Sequence, residues 1–138
     1  MNRFVLDCSM TMAWCFEDEA GSRADAALAN MAVAEALVPS IWPLEVANVL
    51  AVCERRGRIT TASTTKFLGM LGNLPISVDD QTAKHAFGEV LLLARAHNLS
   101  AYDAAYLELA LRTGSSLATL DAALEEAATA LGIEALGE

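Results

Sequence analysis

Four carboxylates stand where a carboxylate can do more than solvate a surface. Asp7 directly follows the apolar run FVL, Glu45 sits in WPLEVANVL, Asp103 in SAYDAAYLELA, and Asp121 directly follows LATL. In open α/β sheets, functional groups collect just beyond the carboxyl ends of the strands, where loops and helix N-termini converge. Carboxylates that meet there repel one another, and some of their pKa values rise unless a cation neutralises them. An all-oxygen donor set selects a hard ion. Magnesium or manganese suits it, because such an ion binds a few carboxylates, keeps several waters and takes its remaining ligands from a phosphate.

Each carboxylate also has an ordinary role open to it. Asp103 completes a capping box, S-x-x-D, from Ser100, and Asp121 can be a helix N-cap. Glu45 is a good first-turn residue for the helix that follows, since the macrodipole favours an anion there. The ordinary role fits Glu45 least well. VANVLAVC is apolar on nearly every face, which predicts a helix buried on both sides and interrupted by Glu45 and Asn48; three residues apart, these two share a face. A buried carboxylate needs a partner, and no basic residue nearby in sequence offers itself.

The elements that must position these groups can be read from the pattern of apolar runs. The spacing predicts strands over 3–6, 37–38, 76–78, 117–119 and 133–136. Helices are predicted from Ser9 through Phe16, and over 21–36, 43–56, 60–71, 80–97, 100–113 and 121–131, with Gly57, Asn98 and Gly114 as stops. On the long helix 80–97, Ala83, Phe87, Val90, Leu91 and Ala94 fall on one face. Short strands alternating with helices in 138 residues predict an α/β fold, a three-layer α/β/α sandwich around a short, mostly parallel sheet, as one domain spanning 1–138. No apolar run approaches the ~18 residues of a membrane helix, and Asp7 interrupts what would be a leader's apolar region. Cys8, Cys15 and Cys53 form no CxxC pair and read as core thiols in a reducing, cytoplasmic setting.

FVLDCSMTMAW, VPSIWPLEVANVL, LSAYDAAYLELA and LATLDAALEEAA, in this order and spacing, resemble the PIN-domain ribonucleases, in particular the VapC-like toxins of type II toxin–antitoxin pairs. The resemblance covers essentially the whole chain. It implies that Asp7, Glu45 and Asp103 hold Mg2+ or Mn2+ and that Asp121 completes the acidic cluster, with Ser9 and Asn48 in supporting roles. The implied reaction is endonucleolytic hydrolysis of RNA by metal-activated water, leaving 5′-phosphate and 3′-hydroxyl ends. The implied partners are the RNA substrate, a second copy of the chain in a homodimer, and a small VapB-like antitoxin whose tail covers the acidic site.

The net charge of −9 opposes simple electrostatic attraction to RNA. Even with the four site carboxylates set aside, acidic residues outnumber basic ones, which suits a nuclease that selects a structured RNA by shape with few phosphate contacts. Candidate substrate contacts are Arg55, Arg56 and Arg58 in ERRGR, equally well placed to complement a helix C-terminus, and Tyr102, which adjoins Asp103 and can stack on a base. His85 and His97 match no ligand spacing, while Trp14, Trp42 and Tyr106 read as packing residues. Two other functions stay open. A haloacid-dehalogenase-like phosphatase would use Asp7 as nucleophile but needs an aspartate where Ser9 stands; a catalytically silent α/β binding module would use the carboxylates only as caps.

Overall fold

The computed structural model describes residues 2–16 and 21–136. Strand β1 (Asn2–Leu6) buries Phe4, Val5 and Leu6 almost completely. Such a continuous apolar run marks a parallel strand covered on both faces. After it come α1 (Cys8–Ala13), α2 (Ser22–Asn30), β2 (Ala34–Val38), α3 (Trp42–Arg55), α4 (Thr61–Gly72) and β3 (Ile76–Val78). The chain continues through α5 (Thr82–His85), a π-helical turn (Ala86–Val90), α6 (Leu91–His97), α7 (Ala101–Thr113), β4 (Ser116–Ala118) and α8 (Ala122–Ala130).

All four strands are parallel, in the order β3-β2-β1-β4. The chain moves from β1 to β2 to β3 in one direction, then crosses back over the sheet to place β4 on the other side of β1. Right-handed crossovers put the helices of the first two connections on one face and those of the return on the other, giving three layers. The packing agrees: α1 lies against α2 and α3, whereas α7 lies against β1, β4, α6 and α8. The reversal of direction falls between β1 and β4, which makes the carboxyl ends of those two strands the place where a crevice must open.

Local sequence explains most boundaries. Asp7, Thr60, Ser100 and Asp121 each cap the helix that follows, accepting a bond from the backbone N–H three residues on. Pro43 lies in the first turn of α3, where its missing N–H costs nothing. Asn98 and Gly114 adopt the left-handed conformation that ends α6 and α7. Helix α7 is buried from Ala104 through Ala110, on every side, and forms the centre of the second layer.

Five expectations are corrected. The first helix, expected from Ser9, begins at Cys8 and is capped by Asp7, so Ser9 lies inside its first turn. The predicted helix 21–36 is α2 followed by the start of β2, because alanine's helix preference yields where Ala34 and Ala36 can be buried beside β1. Helix α3 is buried along one face only, through Trp42, Val46, Leu50 and Cys53, so it is not sandwiched between two layers. Phe87 is 95% exposed; the π-helical turn at Ala86–Val90 shifts the helical phase and takes it off the face that the 3.6 period assigned to it. The predicted strand 133–136 is reduced to one parallel bridge, Leu117 to Ala135. No disulfide joins the three cysteines; Cys53 is buried, and Cys8 and Cys15 pack half-buried against the core.

Candidate active site

Asp7 follows β1 without an intervening residue, and its backbone N–H donates to Ala118 O at 3.1 Å, which ties the ends of β1 and β4 together. Its side chain, in a residue only 4% exposed, is held by three donors. Met10 N–H donates at 2.9 Å, Ser9 Oγ lies 2.8 and 2.9 Å from the two carboxylate oxygens, and the Thr119 hydroxyl donates as well. The network extends to the opposite loop: Leu120 N–H donates to Ser9 Oγ at 2.9 Å, and Asp121 N–H to Thr119 Oγ1 at 3.0 Å. Asp121 in turn caps α8 through Leu124 N–H at 2.9 Å. A lattice of hydroxyls thus orients two carboxylates from the two strands flanking the switch point.

Glu45 and Asp103 arrive from the helices. Glu45 follows the short turn after β2, in the first turn of α3, and accepts a bond from the Tyr106 hydroxyl at 2.5 Å. Asp103 has no strand before it, but α7 precedes β4 and runs antiparallel to it, so the start of α7 lies at the carboxyl end of the sheet. Ser100 Oγ accepts from Asp103 N–H at 3.1 Å and fixes that turn.

Asp7, Ser9, Glu45, Asp103 and Asp121 line one cleft of about 600 Å³, together with Tyr106, Cys8, Phe16 and Arg58. The electrostatics record how closely the acids meet. Burial pushes the Asp7 carboxyl up to about 6, against the bonds from Thr119, Met10 and Ser9 and with the help of Asp121. Burial also raises Glu45, opposed by Tyr106 and aided by Asp103, and raises Asp103, aided by Asp121. The chain of repulsion therefore runs Asp7, Asp121, Asp103, Glu45. Cys8 is pushed up to about 12 by burial and then by Glu45 and Asp7, so it stays a neutral thiol.

The donor set suits a hard divalent cation: carboxylate oxygens, hydroxyls, no imidazole, and mutual repulsion that a cation would relieve. As the side chains stand, no three His, Cys, Asp or Glu groups among the described residues close on a single point. Asp7 is turned towards its hydroxyl donors and Glu45 towards Tyr106. Such a site fits an ion that keeps much of its water, as magnesium does.

Other sequence candidates are not at the cleft. Asn48 is exposed on α3 and is not among the lining residues; one turn beyond Glu45 it is Val49 that faces the cleft. Arg55 and Arg56 are exposed and do not line it. Tyr102, 61% exposed, lines a separate apolar cleft with Leu44 and Phe87. Two contributors are not visible in the sequence. Thr119 has no motif of its own, and Tyr106 reads as packing, although its spacing of three from Asp103 places it on the same face of α7.

Thr119→Val tests the hydroxyl lattice. It removes a donor from the buried Asp7 carboxylate and an acceptor from Asp121 N–H, which is expected to cost about 1–3 kcal/mol at pH 7. Urea unfolding at pH 7 and at pH 3.5 checks it. The deficit should shrink at the lower pH, where Asp7 is protonated in the folded chain and mostly protonated in the unfolded one.

Residues 4–130 match the PIN domain family. The chain is 29% identical over 129 residues to Ribonuclease VapC3 of Pyrobaculum aerophilum, covering 94% of this chain and 97% of that one. Among solved structures it superposes on the crystal structure of PAE2754 from Pyrobaculum aerophilum with a TM-score of 0.68 at 22% identity, over 97% of this chain and 83% of that one. The four-stranded parallel sheet, its helical layers and the sequence match agree: this chain belongs to the PIN-domain family.

Proposed function

We propose that residues 1–138 form a single catalytic domain, a divalent-metal-dependent endoribonuclease that serves as the toxin of a type II toxin–antitoxin pair. The observation that carries this reading is the convergence of Asp7, Glu45, Asp103 and Asp121, from four separate segments, on one cleft at the switch point of the sheet. The name of the VapC relative supports the RNA substrate and the toxin role. In this reading Asp7, Glu45 and Asp103 hold Mg2+ or Mn2+ and Asp121 acts beside them, directly or through water.

A bound cation of this kind supplies a water acidified enough to attack phosphorus and a positive charge for the phosphoryl oxygens. The protein's own part is orientation and proton control. Ser9 and Thr119 hold Asp7 in one rotamer, Tyr106 holds Glu45, and the Ser100 cap fixes the turn that carries Asp103. Asp103 and Asp121, half-exposed at the cleft, are placed to accept the proton of the attacking water. The apolar cleft formed by Leu44, Phe87 and Tyr102 opens from the first turns of the same helices α3 and α7. It supports a protein partner there, a second copy or the antitoxin. The phosphatase alternative lacks its second acid, since Ser9 stands in that place and donates to Asp7. Among the described residues no helix is long and apolar enough to cross a membrane.

The test is 5′-end sequencing of total cellular RNA after incubation with the protein, which detects even one cut species. Magnesium-dependent ends bearing 5′-phosphate are expected, absent with chelator and absent with Asp103→Asn. No new ends in magnesium, or the same ends from Asp103→Asn, would contradict the proposal.

A further inference from the structure

Of the nine lysines and arginines in the chain, Arg58 is the one that lines the acidic cleft. Its backbone position is dictated by the way α3 ends. Gly57 adopts a left-handed φ of 70°. Its N–H donates to Glu54 O at 3.0 Å, and Arg58 N–H reaches back to Cys53 O at 2.9 Å. These two bonds make a Schellman motif, with Gly57 at the one position where a side chain would be strained. The reversal sends Arg58 to the cleft, while Arg55 and Arg56 stay outside it.

The side chain of this exposed residue is placed as well. The Arg58 guanidinium lies over the Phe16 ring, 4.2 Å from its centroid. Phe16 is itself buried and forms part of the cleft wall. A cation at this distance is attracted by the ring's negative face. Backbone and ring together place one planar cation against the wall of a cleft otherwise charged by carboxylates.

Resting on the nuclease reading above, we infer that Arg58 is the phosphate-binding residue of the cleft: it takes non-bridging oxygens of the RNA backbone and holds the strand against the four carboxylates. Three physical points lead there. A polyanion entering an acidic cleft on a chain of net charge −9 needs a fixed cation inside the cleft, because long-range attraction is absent. The guanidinium fork matches a phosphate with two parallel bonds, which an ammonium cannot do. A side chain already held on a ring loses less freedom when the strand docks. Phosphate contact through one residue also fits recognition of an RNA by shape rather than by charge.

The test compares wild type with Arg58→Gln, Arg58→Lys and Phe16→Leu, by cleavage of the RNA species identified in end sequencing, by hydrolysis of bis(p-nitrophenyl) phosphate, and by calorimetric titration with manganese. Arg58→Gln is expected to raise KM for RNA about 10- to 100-fold, the range for a charged hydrogen bond, with kcat within a few-fold. Manganese affinity should be unchanged, and the slope of log KM against log salt should fall by about 0.7, one phosphate contact on a single strand. Arg58→Lys should restore the salt slope but only part of the affinity, and Phe16→Leu should raise KM several-fold. Unchanged KM and salt slope in Arg58→Gln, with wild type active, would overturn this role and leave the nuclease reading standing. Loss of manganese binding in Arg58→Gln would also overturn it, by making the effect structural. If wild type cleaves neither RNA nor the small phosphodiester, the nuclease reading fails and the role of Arg58 falls with it.

Discussion

Asp7→Asn is expected to stabilise the metal-free protein and abolish its activity. The Asp7 carboxyl, raised from 3.8 to about 6, keeps its proton in the folded chain across a range where the unfolded chain has lost it. Folded protein then binds more protons at this group, so the Asp7 contribution to stability falls as pH rises through that window and is complete below about pH 4. Near pH 7 the ionised Asp7 costs roughly 3 kcal/mol, because each pH unit separating the folded from the unfolded value is worth about 1.4 kcal/mol. Asparagine keeps the oxygen that caps α1 through Met10 N–H, and its amide can donate to Ser9 or Thr119 in place of accepting from them. The charge is gone but the lattice is not. A gain of about 1–3 kcal/mol at pH 7 follows, or roughly 5 °C in the thermal midpoint, while RNA cleavage should fall by more than about 100-fold, beyond the loss typical when only the outer partner of a metal ligand is removed. Thermal unfolding in chelator and a cleavage rate in magnesium measure the two halves. A midpoint that drops together with activity would show that Asp7 is a structural cap and no more. The expected opposition is the usual signature of a functional site, where local stability is given up for chemistry.

Arg112→Ala should have the largest destabilising effect of any single surface-reaching change. Glu108 is 4% exposed, in the middle of the fully buried run of α7. Arg112 Nε and Nη2 donate to its two oxygens at 2.7 and 3.1 Å, and Nη1 and Nη2 donate to Asp79 at 3.1 and 2.7 Å. Asp79 stands at the end of β3, its N–H bonded to Val38 O at 2.8 Å. One guanidinium therefore joins the end of α7 to the sheet edge. Removing it strands a buried carboxylate, and the expected cost is about 3 kcal/mol. The Arg112 side chain is 25% exposed, which places the value at the low end of the range for such pairs. The Arg112 hydrogen bond holds the Asp79 carboxyl below its usual range. That share of the stability is therefore complete above about pH 4 and disappears as pH falls through the lowered value. Denaturant melts of wild type and Arg112→Ala at pH 7 and pH 3 should show the gap narrowing in acid; an equal gap at both would assign the loss to packing alone.

What the sequence reveals about this protein follows the range of each interaction. Caps and stops act within a few residues, and so Ser100, Asp121, Gly114 and Asn98 are legible. The layered α/β architecture is legible too, because FVL, ISV and SLA are short apolar runs alternating with longer helical patterns; FVL is buried, whereas ISV, at the sheet edge, is left largely exposed. Asp7 and Asp121 are legible because each directly follows a short apolar run, whereas Glu45 and Asp103 join them through the resemblance of their segments to the family. What escapes depends on contacts across the fold. Thr119 reaches Asp7 over 112 residues of sequence and Tyr106 reaches Glu45 over 61, and neither pairing leaves a periodic trace. Phe87 is misplaced by the 3.6 period because one π-helical turn resets the helical phase. The strand at Ala34 is hidden because alanine is the best intrinsic helix former, so the segment reads as helix, while tertiary pairing with β1 outweighs that local preference. Arg58 is one of three equivalent arginines in ERRGR until the Schellman turn after α3 separates it from the others.

The central claim is that Asp7, Glu45, Asp103 and Asp121 form one cation site. Calorimetric titration of manganese into wild type and Asp7→Asn at pH 7 tests it most directly, since it needs no knowledge of the RNA. A saturable isotherm in wild type and no isotherm in Asp7→Asn is the expected result. No binding to wild type, or equal binding to both proteins, would contradict it.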